Sequence, residues 1–339
     1  MAVTELVGVF PALEPLGGVQ ASGREAWQGI VDHLGGQRVH LLAYGAGDGK
    51  VRAALSALTK RHRAGTLLVW HLNLMKLAPL VAGAGVQVVV FLHGIEAWRR
   101  QDLLTRRALG RVNLFLSNSD HTWARFAASN SQFAAAIHQT VHLGAGTPAK
   151  TPAPSPSPPP AALMLGRMLR SEDYKGHRQM IEIWPRVLAM LPDAELWIAG
   201  DGDLRPELEQ LARARGIEKR VRFWGQVSEE QKAHLIAQSR CLAMPSRCEG
   251  FGLVYLEAMR LGRPCLVGNG DAGREVVNPP HAGLAANPED QQQLTEAVGR
   301  LLRAGDEWQC WSLAARSRYE GRFTAQHFRQ RMNAALFAA

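Results

Sequence analysis

An α/β protein built from two Rossmann-like parallel-sheet domains facing a cleft is what this sequence predicts, on three observations. Short β-rich runs alternate with helix-spaced segments along most of the chain, the pattern of parallel strands joined by covering helices. The alternation breaks clearly at TPAKTPAPSPSPPP, residues 147–160, where repeated proline excludes regular structure and stiffens the chain. The stretches on either side repeat the same pattern, and 339 residues are enough for two cores of ordinary size.

In chain order, the strand candidates before the break are LVGVF (6–10), RVHLLAY (38–44), TLLVWH (66–71), VQVVVFLH (86–93) and RVNLFLS (111–117). After it come ALMLG (162–166), AELWIAG (194–200), RVRFWG (220–225), RCLAMPS (240–246) and PCLVGN (264–269), with a short, weak GLAA at 283–286. Between them lie segments of helical spacing such as HRQMIEIWPRVLAML (177–191). The predicted division is an N-terminal domain over 1–147, a linker over 148–160 and a second domain over 161–307. A helical tail over 308–339 needs the surface of one or both domains to cover its apolar positions. In each parallel sheet, ligand loops are expected at the carboxyl ends of the strands.

Composition narrows the class. Apolar residues make up 46% and charged residues 20%, as in soluble globular proteins. The longest apolar run, around Val86 to Leu92, has the length of a strand and not of a membrane-spanning helix. The N-terminus shows no basic start followed by an apolar core, so no secretory signal is expected. Cys241, Cys248, Cys265 and Cys310 form no CxxC pair; they suggest reduced thiols in a cytoplasmic protein and no metal site. A formal charge of +9 asks for an anionic partner, be it phosphate, nucleic acid or an acidic membrane surface.

Three glycine-rich or acidic clusters invite a cofactor reading. GAGDGK (45–50) has neither dinucleotide nor P-loop spacing and is taken as a surface turn. GNGDAG (268–273) fits G-x-G-x-x-G after a strand, but it lies late in the chain and alone is weak evidence for a dehydrogenase. DGD (201–203) follows a strand and opens LRPELEQLARA, so Asp203 is expected as a helix N-cap in preference to a metal ligand.

The most informative stretch is CEGFGLVYLEAM, 248–259. Glu249 falls in a loop with Gly250 and Gly252, which allow close backbone approach by a ligand. A helix is expected from about Gly252 to Leu261, stopped by Gly262 with Pro264 beyond. Glu257 then stands about a turn and a half inside it, in an apolar setting where a carboxylate needs a partner. Two carboxylates so placed can hold two separate sets of hydroxyls on one ligand, as a sugar nucleotide presents on its sugar and its ribose.

This stretch resembles the E-x(7)-E motif of retaining glycosyltransferases of the GT-B fold, particularly family 4, the glycosyltransferase group 1 family. LGRMLRSEDYKGH (165–177), IAGDGDLRPELE (198–209), RVRFWGQVSEEQ (220–231) and EGFGLVYLEAM (249–259) are similar to that family's blocks in their usual order, over nearly all of 163–303. EPLGGVQ (14–20), FLHGIEAW (91–98) and LSNSD (116–120) are a thinner match in the N-terminal half. The resemblance implies that Arg167 and Lys175 grip the donor diphosphate, that Glu257 holds the ribose hydroxyls, and that Glu249 lies near the transferred sugar. It implies contacts from the backbone of Gly250, Phe251, Gly252 and Leu253, a sugar contact from His93, and phosphate approach at Gly17 and Gly18. The turn Trp224 to Val227 is expected beside the nucleobase. Glu96 and His71 are candidates for the acceptor side, with a purely structural role equally open.

The predicted activity is retaining, metal-independent transfer from a UDP-, GDP- or ADP-sugar to a glycan or lipid-linked acceptor, with no other cofactor. The rival is a noncatalytic sugar-nucleotide or nucleic-acid binding protein. No nucleic-acid module is visible, and nucleic acid is not an expected partner. The run WRRQDLLTRRALGR (98–111) looks helical and carries Arg99, Arg100, Arg106, Arg107 and Arg111. It is either a solvated charged helix or a contact to an anionic membrane surface, giving a cytoplasmic protein with an optional peripheral attachment.

Overall fold

A computed structural model describes residues 5–14, 17–44, 65–151, 155–156 and 158–337. The chain forms two compact units, one comprising 1–146 with 323–339 and the other 147–322. GAGDGK lies outside the described residues.

In the first unit the described elements are β1 (Leu6–Pro11), α1 (Gly18–Leu34), β2 (Val39–Tyr44), β3 (Thr66–Val69), α2 (Ala78–Val81) and β4 (Gln87–Leu92). They continue with α3 (Leu103–Leu109), β5 (Leu114–Ser117), α4 (Asp120–Ser129) and β6 (His138–Thr140). The strands form a parallel sheet in the order β2-β1-β3-β4-β5-β6. All five predicted strands are present. The sixth, β6, was not predicted: His138, Gln139 and Thr140 carry no apolar run, and the strand only extends the sheet edge beside β5. The basic run is a further correction, because residues 98–102 are not helical and α3 starts at Leu103. Its N-cap is Asp102, whose side chain accepts the Thr105 N–H at 3.0 Å.

The second unit runs β7 (Ala161–Leu165), α5 (His177–Met190), β8 (Glu195–Ala199), α6 (Arg205–Ala214), β9 (Val221–Gly225), α7 (Glu229–Gln238) and β10 (Cys241–Met244). It continues α8 (Leu253–Arg260), β11 (Cys265–Gly268), α9 (Gly273–Val277), β12 (Gly283–Ala286), α10 (Gln291–Leu302) and α11 (Asp306–Arg322). Its parallel sheet has the order β12-β11-β10-β7-β8-β9. β7, β8, β10 and β11 are buried throughout, which is why they read as unbroken apolar runs and not as alternating ones. β9, at the edge, alternates.

The expected N-cap at Asp203 is not observed. α6 begins at Arg205 after Leu204 with no side-chain cap, and Pro206 occupies its first turn. Asp203 instead accepts the Arg170 N–H at 2.9 Å, so its carboxylate fastens the loop after β7. α11 stays in the second unit, where the Trp308 indole donates to the Arg240 carbonyl and that of Trp311 to the Pro280 carbonyl, each at 2.9 Å. A last helix, α12 (Ala325–Phe337), belongs to the first unit and lies on α1. There Arg329 pairs with Glu25 at 2.9 Å and Asp32 at 3.1 Å.

Candidate active site

In the second unit the chain leaves β7 toward β8 and β9, then returns to place β10 on the other side of β7. The carboxyl ends of β7 and β10 therefore flank the point where the winding reverses, the usual ligand position in an open α/β sheet. Arg167 lies two residues past β7, and the loop 245–252 follows β10. The tight approach is visible at Gly200, after β8: its φ is 136°, and a Cβ there would stand 2.0 Å from the Gly166 carbonyl oxygen.

Arg167 and Lys175 are brought together by a residue not assigned from sequence. Glu172 forms an ion pair with the Arg167 guanidinium and, through its other oxygen, with the Lys175 ammonium at 2.6 Å. Lys175 and Glu172 are mostly buried, at 15% and 14% side-chain exposure, whereas Arg167 is 69% exposed and accessible to an anion. Glu249 belongs to the same charged group. Burial pushes its carboxyl above the usual range, while Lys175 and the backbone N–H groups of Phe251 and Gly250 oppose the shift.

Gly250 and Phe251 are buried in the loop, and Gly252 precedes α8 with a φ of 87°. Any side chain there would strain the backbone, and a Cβ would stand 2.3 Å from the Tyr255 ring. The Tyr255 hydroxyl donates to the Met244 carbonyl at 2.9 Å, so α8 is fastened to the end of β10. Leu253, half-buried, opens the helix.

Glu257 stands apart from that group. Lys232 of α7, which sequence spacing did not indicate, donates to Glu257 Oε1 at 2.9 Å. Oε2 is buried and has no hydrogen-bond partner among the described residues. Burial raises the Glu257 carboxyl, with Lys232 opposing. A buried acceptor left open on a helix that starts at the ligand loop suits paired hydroxyl donors. At the end of β9, Trp224 is 44% exposed, its ring edge-on to Trp197 with centroids 6.0 Å apart.

In the first unit, Gly17 and Gly18 are exposed at the start of the 17-residue α1, with no acidic side chain in its first turn. Backbone N–H groups at such an end attract anions. His93 follows β4 and is 8% exposed. Its Nε2–H donates to the Trp70 carbonyl at 2.6 Å, and burial, with His71 nearby, pushes its pKa down to about 3. The ring is therefore neutral, and Nδ1 carries the free lone pair. Glu96 and His71 hold structural positions: Glu96 accepts the His93 and Gly94 N–H groups at 2.7 and 3.1 Å, and His71 Nδ1 accepts the Asn73 N–H at 3.2 Å.

Residues 159–304 match the family model described as glycosyl transferases group 1. The chain is 33% identical over 135 residues to the GDP-mannose-dependent monoacylated alpha-(1-6)-phosphatidylinositol monomannoside mannosyltransferase of Corynebacterium glutamicum, across 38% of this chain and 35% of that protein. It is 30% identical over 244 residues to the GDP-mannose-dependent alpha-(1-6)-phosphatidylinositol monomannoside mannosyltransferase of Mycolicibacterium smegmatis, across 67% of this chain and 64% of that protein. The chain thus spans less than two thirds of the length of either. The solved structure of sucrose-phosphate synthase from Thermosynechococcus elongatus aligns with a TM-score of 0.78 at 17% identity, covering 97% of both chains. This likeness is one of fold, the two-unit GT-B architecture.

Proposed function

Because the chain belongs to the glycosyl transferases group 1 family, we propose that it transfers a sugar from a nucleotide-diphosphate sugar to a glycan or lipid-linked acceptor with retained configuration. The observation that carries this reading is the pair of cations held side by side by Glu172, next to the half-buried Glu249, at the reversal point of the sheet. A diphosphate competes with Glu172 for both cations: the guanidinium can take two phosphate oxygens, and the ammonium adds a point charge. Both bind more strongly as negative charge builds on the leaving diphosphate, so Arg167 and Lys175 stabilise the transition state without a metal ion. The departing phosphate takes the acceptor proton. Glu257 receives the ribose hydroxyls, and Glu249 with the backbone of 250–253 faces the transferred sugar. Within the first unit by itself, the exposed N–H groups at Gly17 and Gly18 suit an anion, and His93 Nδ1 suits a hydroxyl donor.

The test is incubation of the purified protein with labelled UDP-, GDP- and ADP-sugars and a cell-envelope extract. One donor is expected to be consumed, its label appearing in acceptor with the anomeric configuration kept. Tight nucleoside diphosphate binding without turnover of any donor would instead identify a noncatalytic sugar-nucleotide binding protein.

A specific surface favours an anionic membrane as an additional partner. Leu103 and Leu104 are 70% and 66% exposed, and Arg99, Arg100, Arg106, Arg107 and Arg111 have no ion-pair partner among the described residues. Among the described residues no helix is long and apolar enough to cross a membrane, so such binding would be peripheral. Sedimentation with phosphatidylglycerol vesicles, absent with phosphatidylcholine and lost in Leu103→Glu/Leu104→Glu, is the expected result. Equal sedimentation with both lipids would refute it.

A further inference from the structure

The turn after β11 carries a buried acid that none of these roles uses. Asp271 is 4% exposed, and its Oδ1 accepts the Gly273 N–H at 2.9 Å. Its Oδ2 is buried with no hydrogen-bond partner among the described residues, an arrangement that strongly disfavours a negative charge. The same turn is bonded to the loop that bears Glu249. The Ala272 N–H donates to the Glu249 carbonyl at 3.1 Å. The Glu249 carbonyl thus ends on the turn that the Asp271 carboxyl closes through the Gly273 N–H. Loop and turn are pressed together: a Cβ at Gly268 would stand 1.8 Å from the Ser246 carbonyl oxygen and 3.3 Å from Asp271 Oδ2.

We propose that Asp271 is a positioning residue for Glu249, its buried carboxyl fixing the turn whose Ala272 N–H holds the main chain of the sugar-facing glutamate. The inference rests on the donor role proposed for Glu249. The groups around Asp271 decide its charge. Glu249 lies beside it as a second carboxyl, itself under the influence of Lys175 and Glu172. From α8 the Tyr255 hydroxyl is committed to the Met244 carbonyl, and from α9 the Arg274 guanidinium donates to the Asn269 carbonyl at 3.2 Å. Burial, then the Glu249 charge, push the Asp271 carboxyl up to about 8. Asp271 therefore keeps its proton at neutral pH. Releasing that proton to solvent places two negative charges together at the base of the donor loop.

The sign of the stability effect follows. An acid whose pKa rises on folding stays protonated in the folded chain at pH values where the unfolded chain has ionised. Stability therefore declines as pH climbs from the ordinary 3.8 to about 8. Asp271→Asn has no such proton to lose, and Asp271→Ser is a second neutral replacement should the first misfold. In thermal melts the neutral variant is expected to gain on the wild type steadily across that window. In the transfer assay the wild type should lose turnover several-fold above about pH 8, whereas the variant keeps the ratio between its alkaline and neutral rates near one. A melting difference that is constant with pH overturns the neutral acid, independently of any activity. A changing melting difference with the alkaline decline intact in the variant overturns the positioning role. Absence of turnover in both chains defeats the transferase reading and this role with it, while the melts still report the charge of Asp271.

Discussion

Lys175 and Glu257 illustrate what a residue can and cannot disclose from its place in the sequence. Each was recognisable by type and spacing within a family-like block. Their partners were not, because Glu172 acts through the shape of its loop and Lys232 lies 25 residues from Glu257 on another helix. Asp271 sat inside a pattern that suggested only a weak dinucleotide fingerprint, and its burial comes from the turn packed beneath the donor loop. At this scale Lys175→Ala is expected to weaken nucleoside diphosphate binding and turnover by about 1.5–3 kcal/mol, the worth of a charge-assisted contact. Titration calorimetry on the folded variant measures it, and unchanged affinity would remove Lys175 from the diphosphate site.

Elements were legible where both faces of a strand are buried or where a cap is encoded locally. The apolar runs of β7, β8, β10 and β11 announced themselves, and so did the Gly252 and Gly262 limits of α8. Polar β6 did not, since its strand character comes only from pairing with β5. Asp203 misled because a carboxylate before a helix also has a loop N–H within reach. α7 has a reciprocal cap: Ser228 Oγ accepts the Gln231 N–H at 3.1 Å, and the Gln231 side chain accepts the Ser228 N–H at 3.0 Å. Since α7 carries Lys232, Ser228→Ala is expected to cost about 1 kcal/mol of stability in a urea melt. It should also lower nucleoside diphosphate affinity slightly through Glu257. A loss below measurement in both would show that the cap does not hold the helix.

Across the whole molecule, the proline-rich segment announced a division from sequence, but the return of the last helix to the first unit did not follow from periodicity. α12 covers α1 with Phe328 wholly buried and Arg329 between Glu25 and Asp32. Phe328→Ala is accordingly expected to destabilise the first unit by about 3–5 kcal/mol. Hydrogen exchange would show lost protection in β1, β3 and α1, with β7, β8 and β10 unaffected. The central claim concerns the second unit, where the two glutamates hold different parts of one donor. Calorimetry with the free nucleoside diphosphate, beside single-turnover rates with the intact donor, separates them in Glu257→Gln and Glu249→Gln. The predicted result is that Glu257→Gln weakens the nucleoside diphosphate, because ribose is present in it, whereas Glu249→Gln leaves that affinity nearly unchanged and lowers the rate. Equal loss of nucleoside diphosphate affinity in both variants, or no loss in either, would contradict the account.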